Sequence, residues 1–378
     1  MKSITEVERS LANKIIIVRL DLNVPIQNGK ITDTNRIDKI VPTLNYLIKK
    51  NTKLILISHI GRPKGKIDTN LSLKPICDSL SKKLNSEIKL INKNIYQLNK
   101  KNIFESDNIK ILLLENIRFY AEEEADNEKF AKHLASLGDL YVNEAFSCSH
   151  RPHTSVSKIA EFIDGYAGLL FTSEVQALNK ITKNIEKPIS CIIGGSKIST
   201  KIKIIENFVS KFDNIIIVGG MANSFLKYFG QNIGKSIYEE NSVEIIKKII
   251  ETAKLKNCNL IFPEDYSVGK NLNDAATNKT KEEIQDLDMI LDIGPATIKK
   301  IIKLINNSKT ILWNGPAGYF ENNYFAKGSF EIAKEITKNT KDGKLYSVVG
   351  GGDTVAVINK LNLFNEFNFV STAGGAFL

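Results

Sequence analysis

The sequence contains few cysteines and no long apolar run, and each absence excludes a class of protein. The four cysteines are widely separated and form no CxxC pair, which argues against a disulfide framework or a cysteine-ligated metal. No run of about 18 or more apolar residues offers a membrane-spanning helix. The start, MKSITEVERS, lacks the apolar core of a secretory signal. We therefore predict a cytoplasmic protein with reduced, buried cysteines.

Arginine is also scarce, and its distribution is uneven. Only six of the 52 basic residues are arginines, and none lies beyond Arg151. Because lysine occupies nearly every other basic position, the retained arginines indicate places where a planar fork is needed for carboxylate or phosphate. All four histidines also fall in this first stretch. The N-terminal half therefore has the residue types of an anion site.

The net charge of +10 raises the alternative of a non-catalytic protein that binds nucleic acid or another polyanion. This alternative predicts steeply salt-dependent binding without turnover. The lysines, however, are spread over the whole chain beside abundant Ile and Asn, with no aromatic and basic interleaving. We expect a solvated lysine surface, and neither a nucleic-acid nor a membrane partner.

Short apolar runs that alternate with longer helical patterns occur in two successive stretches. A chain of 378 residues exceeds what one core usually supports. The alternation predicts an α/β fold with two doubly wound parallel-sheet (Rossmann-like) domains joined by a hinge helix. In the second stretch the predicted strands include NLIFPEDYSV and DMILDIGP. The predicted bounds are 1–167 for the first domain, 168–182 for the hinge helix, and 183–378 for the second domain, whose last residues return toward the hinge.

Charged and polar residues follow the predicted strands of the first domain, where open parallel sheets bind ligands. One arginine alone is usually a surface ion pair, but several at one sheet edge predict a site for a small acid with phosphate and carboxylate groups. We discount a metal at His150 and His153, because no carboxylate pattern surrounds them, and we take Arg9 and Arg19 as structural. The candidate residues are Asp21, Asn23, Arg36, His59, Arg62, Arg118 and Arg151.

Glycine-rich turns follow the predicted strands of the second domain. After GGSK we predict a helix start that places Lys197 and Lys201 one turn apart on one face, where both can neutralise a phosphoryl group. Asp353 can bind Mg²⁺, and Glu321 can accept from ribose hydroxyls. The predicted nucleotide contacts are Gly195, Lys197, Lys201, Asn314, Glu321, Gly350, Gly351, Gly352, Asp353 and Thr354, and Gly374 and Gly375 are predicted phosphate contacts.

The sequence resembles the phosphoglycerate kinase family over essentially its full length. The matching segments are DLNVP, SHIGRP, ENIRF, SHRPH, GGSKISTK, ILWNGPAGYFE, GGGDT and STAGGAFL, in the family's order. The resemblance implies that the first domain binds 3-phosphoglycerate or 1,3-bisphosphoglycerate. It also implies that the second binds MgADP or MgATP, that Arg36, Lys197 and Lys201 are catalytic, and that the protein is a monomer.

Two departures and one alternative accompany the resemblance. The family usually has NDAFG where this chain has Glu144 and Ser147, and STGGGA where it has Ala373. We expect the first difference to be tolerated and the second to reduce backbone freedom near the phosphates. A Rossmann-type dehydrogenase is also compatible with a doubly wound pattern, but GxGxxG is missing after the first strand.

Overall fold

The computed structural model describes residues 1–104, 108–371 and 373. Within it the chain forms two compact units, Met1–Gln176 and Ala177–Leu378. The boundary lies inside the helix α5 (Leu169–Thr182). The apolar spacing of the sequence predicts a helix at these residues. Among the described residues, no helix combines the length and the apolar character needed to span a membrane.

The first unit contains a parallel sheet with strand order β5-β6-β4-β1-β7-β8 in the described residues, as expected from the alternating pattern. A short antiparallel pair, β2 and β3, lies beside it. The strands are β1 (Ile15–Arg19), β2 (Ile26–Gln27), β3 (Lys30–Ile31), β4 (Lys53–Ile57), β5 (Ile88–Ile91), β6 (Ile111–Leu114), β7 (Leu140–Asn143) and β8 (Gly165–Ala167). The helices, besides α5, are α1 (Asn35–Lys49), α2 (Lys74–Leu84), α3 (Ala121–Glu124) and α4 (Glu128–Ser136).

Both faces of this sheet are covered, which explains why its strands are mostly apolar. Ile16 of β1 packs in a cluster with Leu44 of α1 and Leu80 of α2. Its neighbour Ile17 faces the other way, in a cluster with Phe130 of α4. Successive side chains of a strand alternate between faces, so helices on both sides require apolar residues on both faces of the strand. The unit is therefore doubly wound.

The second unit has a parallel sheet with strand order β11-β10-β9-β15-β16-β17 in the described part of the chain. Apolar helix residues such as Ile301 and Val357 pack with Trp313 of the central strand β15. The strands of this sheet are β9 (Ile189–Ile193), β10 (Asn214–Ile217), β11 (Asn259–Ile261), β15 (Thr310–Asn314), β16 (Tyr346–Gly350) and β17 (Phe369–Val370). The helices are α6 (Ile202–Val209), α7 (Gly219–Tyr228), α8 (Val243–Leu255), α9 (Pro295–Asn307), α10 (Lys327–Lys341) and α11 (Gly352–Lys360).

One prediction about this unit is wrong, because two of the apolar runs leave the parallel sheet. NLIFPEDYSV is divided around Pro263 into β11 and a second strand, β12 (Asp265–Gly269). The run DMILDIGP contains β14 (Met289–Ile293), which pairs antiparallel with β12, as does β13 (Thr277–Thr280). Proline lacks the N–H that a central strand donates, so the chain leaves one sheet there and enters the other.

Candidate functional site

An aspartate and an arginine form a short ion pair beyond the carboxyl end of β1. Arg36 lies in the first turn of α1, and its Nη1 is 2.6 Å from Oδ2 of Asp21. The Arg36 side chain is 29% exposed, so the guanidinium keeps access to solvent. Ser147 Oγ donates to the same Asp21 oxygen, and Arg36 Nη1 also lies 3.3 Å from the carbonyl oxygen of Asn23. The guanidinium therefore has donors left for an anion.

His59, two residues beyond β4, is a buried neutral ring. Its Nδ1 lies 3.0 Å from Nη2 of Arg19, and because a guanidinium can only donate, Nδ1 accepts. Burial lowers the pKa of His59 well below its ordinary value, and the charges of Arg19 and Arg118 lower it further. The ring proton is therefore on Nε2, which makes His59 a neutral donor.

The backbone of Gly61 connects two of the predicted site residues, Asn23 and Arg118. Its N–H donates to Asn23 Oδ1 at 3.1 Å, and its carbonyl accepts from Arg118 Nη1 at 2.9 Å. Burial lowers the pKa of Arg118 from its ordinary value, and the Arg151 charge contributes in the same direction. Arg62 is exposed beside Gly61. The structure therefore joins Asn23 directly to the Arg118 turn and puts Arg151 within electrostatic range of it.

The donor set of this region suits an anion better than a metal. One potential ligand atom from each of Asp21, His59 and Cys148 lies within 4.8 Å of the other two. However, Arg36 is paired with Asp21, and Arg19 faces the histidine nitrogen that a ligating ring would use to donate to a carboxylate or carbonyl. Surrounding guanidinium groups repel a cation, so the donor set favours an anion over a metal ion.

In the second unit, a lysine closes the turn that follows β9. Lys201 Nζ donates to the carbonyl of Gly194 and to Oδ1 of Asn314, both at 2.6 Å. Burial lowers the pKa of Lys201, and the charge of Asp353 opposes that shift. The ammonium is thus fixed beside the glycine-rich turn, between two strand ends.

The predicted helix that carries Lys197 and Lys201 on one face is wrong. The helix α6 begins at Ile202, and the residues before it form turns in which Lys197 is exposed. Ile198 is fully buried, and the N–H of Ser199 donates to Glu239 Oε2 at 2.9 Å. These tertiary contacts hold the segment in turns, so the two ammonium groups do not share a helix face.

Close packing between the ends of β9 and β15 explains why Gly194 and Gly315 have no side chain. A Cβ on Gly194 would lie 2.1 Å from the carbonyl oxygen of Pro316, and a Cβ on Gly315 would lie 2.4 Å from that of Gly194. The N–H of Gly315 donates to Thr354 Oγ1 at 2.6 Å, which attaches a third turn. Thr354 and Asn314 are buried, and both hold the turns together. As direct nucleotide contacts, they remain predictions.

A cavity of about 250 Å³ opens beside these turns. Gly195 and Asp353 line it on the turn side, and Glu321 lines it beyond β15. Apolar side chains, among them Ile237 and Leu291, complete the wall. The arrangement offers backbone groups for phosphates, a carboxylate for a metal ion and an apolar surface for a base. No sequence motif indicates that apolar wall, because its residues come from separate segments.

Asp353 fits a magnesium ion that is held mainly through nucleotide phosphates. It lies in the first turn of α11, is exposed, and lines the cavity. Mg²⁺ typically takes one or two carboxylates and completes its coordination with water and phosphate oxygens. A single exposed carboxylate beside a glycine-rich turn satisfies that requirement.

The remaining predicted residues lie in the turn between β16 and α11 or outside the described residues. Gly350 ends β16, Gly351 has a φ of +93°, and Gly352 begins α11. Gly374 and Gly375 lie outside the described residues. Their neighbour Ala373 is buried, and its N–H donates to Ser371 Oγ at 3.1 Å. Ser147, which is not among the predicted residues, also belongs to the site through its contact with Asp21, and its position in the turn after β7 is a signal that could have indicated it.

Comparison with known proteins gives consistent results across both units. A family model described as phosphoglycerate kinase matches residues 4–378. A phosphoglycerate kinase from Wolbachia pipientis subsp. Culex pipiens is 46% identical over 369 residues, which cover 97% of this chain and 93% of that protein. One from Methylorubrum extorquens (strain PA1) is 42% identical over 370 residues, with 97% and 92% covered. The solved structure of phosphoglycerate kinase from Coxiella burnetii matches with a TM-score of 0.88 at 39% identity, over 99% of this chain and 94% of that one.

Proposed function

This chain belongs to the phosphoglycerate kinase family and is a phosphotransferase, and we propose that its two units each bind one substrate. Unit 1 (Met1–Gln176) takes 3-phosphoglycerate or 1,3-bisphosphoglycerate, and unit 2 (Ala177–Leu378) takes ATP or ADP with Mg²⁺. The reaction is the reversible transfer of a phosphoryl group between 1,3-bisphosphoglycerate and ADP. The α5 helix, which contains the boundary between the units, is the proposed hinge.

The observation that carries the assignment of unit 1 is the gathering of cations and a neutral histidine at one sheet edge. Arg36 and Arg118 supply fixed positive charge, and His59 supplies a neutral Nε2 donor. Such a set suits an acid with both carboxylate and phosphate groups. The proposed contacts of this acid are Asp21, Asn23, Arg36, His59, Arg62, Arg118 and Arg151.

In unit 2 the glycine-rich turns supply N–H groups for phosphates, and Lys201 supplies charge at the same place. Lys197 is exposed and reaches the phosphates from solvent. Asp353 holds the Mg²⁺, which when bound provides positive charge to the nucleotide phosphates. Glu321 accepts from the ribose, while Asn314 and Thr354 act by holding the turns around Gly350–Gly352. Gly374 and Gly375 remain proposed phosphate contacts.

The chemistry requires charge neutralisation more than proton transfer. The attacking group is a carboxylate or a nucleotide phosphate oxygen, so there is no proton for a general base to remove. Arg36, Lys197 and Lys201 therefore act by aligning and neutralising the transferring group. We also propose that the protein works as a cytoplasmic monomer, without nucleic-acid or membrane partners.

The test is ATP consumption by the purified chain with Mg²⁺ and 3-phosphoglycerate, coupled to reduction of the acyl phosphate formed. In Arg36→Met, kcat should fall by about 100-fold or more, because the variant loses a cation at the transferring group, while the KM for ATP stays within about 2-fold. Asp353→Ala should raise the Mg²⁺ concentration needed for activity. Arg9→Met removes an arginine paired with exposed Asp164 and is the matched control, with unchanged kinetics. A normal kcat in Arg36→Met would disprove the assigned role.

A further inference from the structure

The start of α5 is capped by two side chains from elsewhere in unit 1. The first N–H groups of a helix have no partner within the helix. Here the N–H of Leu169 donates to Thr43 Oγ1, and those of Leu170 and Phe171 donate to the carboxylate of Glu144, each at 3.0 Å. Thr43 Oγ1 in turn donates to Glu144 Oε1. Glu144 therefore binds the first turn of the proposed hinge helix.

The same contacts reach the helix that carries Arg36. Thr43 lies on α1, seven residues after Arg36, which is close to two helical turns and so nearly on the same face. Both Thr43 and Glu144 are buried. The carboxylate of Glu144 thus joins three elements, namely the end of β7, the middle of α1 and the start of α5.

A second connection runs through the turn that follows Glu144. Ser147, three residues later, donates to Asp21, which pairs with Arg36. Phe146 in this turn packs edge-on against Phe171 of α5, with ring centroids 5.3 Å apart. Arg36 is therefore tied to the segment 144–147 twice, once through its own helix and once through Asp21.

The Glu144 carboxylate packs directly against the backbone of Gly168. A Cβ on Gly168 would lie 2.0 Å from Glu144 Oε2. Burial raises the pKa of Glu144, and its bonds to Thr43, Phe171 and Leu170 oppose that shift.

We propose that Glu144 is a positioning residue, which fixes the first turn of α5 to α1 and so sets the position of Arg36 for phosphoryl transfer. This inference rests on the proposed role of Arg36. It predicts that a displacement of the first turn of α5 changes the position of Arg36, through Thr43 on α1 and through the Ser147 contact with Asp21. The expected signature is a loss in kcat that depends on Arg36.

The test is a double-mutant cycle between Glu144→Gln and Arg36→Met, with kcat and KM measured for both substrates. Small displacements of an aligned group can cost large factors in rate, so we expect Glu144→Gln to lower kcat by about 10-fold with an unchanged KM for ATP. In the Arg36→Met background the same change should lower kcat by less than about 2-fold, because nothing remains to be positioned. Thr43→Val, which removes the hydroxyl, should behave similarly, and Thr43→Ser should restore the rate.

A matched control exists in unit 2. The carboxylate of Asp265 accepts from the N–H groups of Ala296 and Thr297 at the start of α9 and from the Thr297 hydroxyl. It caps a helix as Glu144 does, but its hydroxyl partner belongs to the capped helix itself. Asp265→Asn should lower the melting temperature as Glu144→Gln does, without lowering kcat. Equal rate losses from Glu144→Gln with and without Arg36, or a lower melting temperature with normal kcat, would overturn the proposal and leave a simple helix cap. A normal kcat in Arg36→Met alone would instead overturn the proposed function of Arg36.

Discussion

At the scale of single residues, the anion-binding edge of unit 1 depends on a buried charged network behind it. Arg19 and Glu123 are fully buried, with Arg19 Nη2 3.9 Å from Glu123 Oε1. Glu123 also accepts from the N–H and hydroxyl of Ser155, at 2.8 and 2.6 Å. Because this network holds a guanidinium against Nδ1 of His59, it fixes the ring tautomer. The structural role predicted for Arg19 thus includes orienting a proposed substrate contact.

The neutral state of His59 predicts how stability depends on pH. Since burial holds the pKa of His59 well below 6.5 in the folded chain, the unfolded chain alone binds a proton as the pH falls below 6.5. The free energy of unfolding should therefore decrease on acidification, by up to about 1.4 kcal/mol per pH unit from this residue. Urea unfolding at pH 8, 7, 6 and 5 should show a smaller decrease in His59→Gln than in the wild type. His150→Gln, at an exposed position, should keep the wild-type decrease, and identical slopes for all three proteins would contradict this account.

At the scale of elements, the close approach of β9 and β15 predicts a steric effect on nucleotide binding. Gly194→Ala would place a methyl group 2.1 Å from the Pro316 carbonyl oxygen, so the two turns must separate. We expect a loss of about 1 to 3 kcal/mol in unfolding free energy and a marked loss of ATP affinity, measured by calorimetry. Gly352→Ala is the stability control, because its Cβ would meet nothing within 4 Å. A Gly194→Ala protein as stable as the wild type would show that the turns can adjust.

The same elements show what could be predicted from the sequence. Strands such as β1 and β9 are mostly apolar because both faces are covered, and this local pattern predicts the parallel sheets correctly. The turn conformation around Lys197 could not be predicted, because it depends on Glu239, which is 40 residues away from Ser199. The pairing of β12 with β14 likewise depends on contacts that no local pattern contains. Ser147 was missed because its contact with Asp21 spans 126 residues.

At the scale of the whole molecule, the proposal assigns each substrate to a separate unit. A phosphoryl group passes between two oxygens only when these are in line and in contact, so both ligands must reach one place together. When only one ligand is bound, no transfer is possible and the two units need not approach each other. We therefore expect the equilibrium between arrangements of the units to shift only when both ligands are bound.

Small-angle scattering can test this expectation with a pair of ligands that cannot react. MgADP with 3-phosphoglycerate fills both proposed sites but lacks the phosphoryl group that the reaction transfers, so any compaction reports binding and not turnover. The radius of gyration should fall with both ligands and remain near the ligand-free value with either one alone. Because Glu144 anchors the first turn of α5 to α1, Glu144→Gln should reduce the compaction at saturating ligand, while Asp265→Asn should not. An unchanged radius with both ligands bound would mean that the units need no closure, and the hinge role of α5 would have to be abandoned.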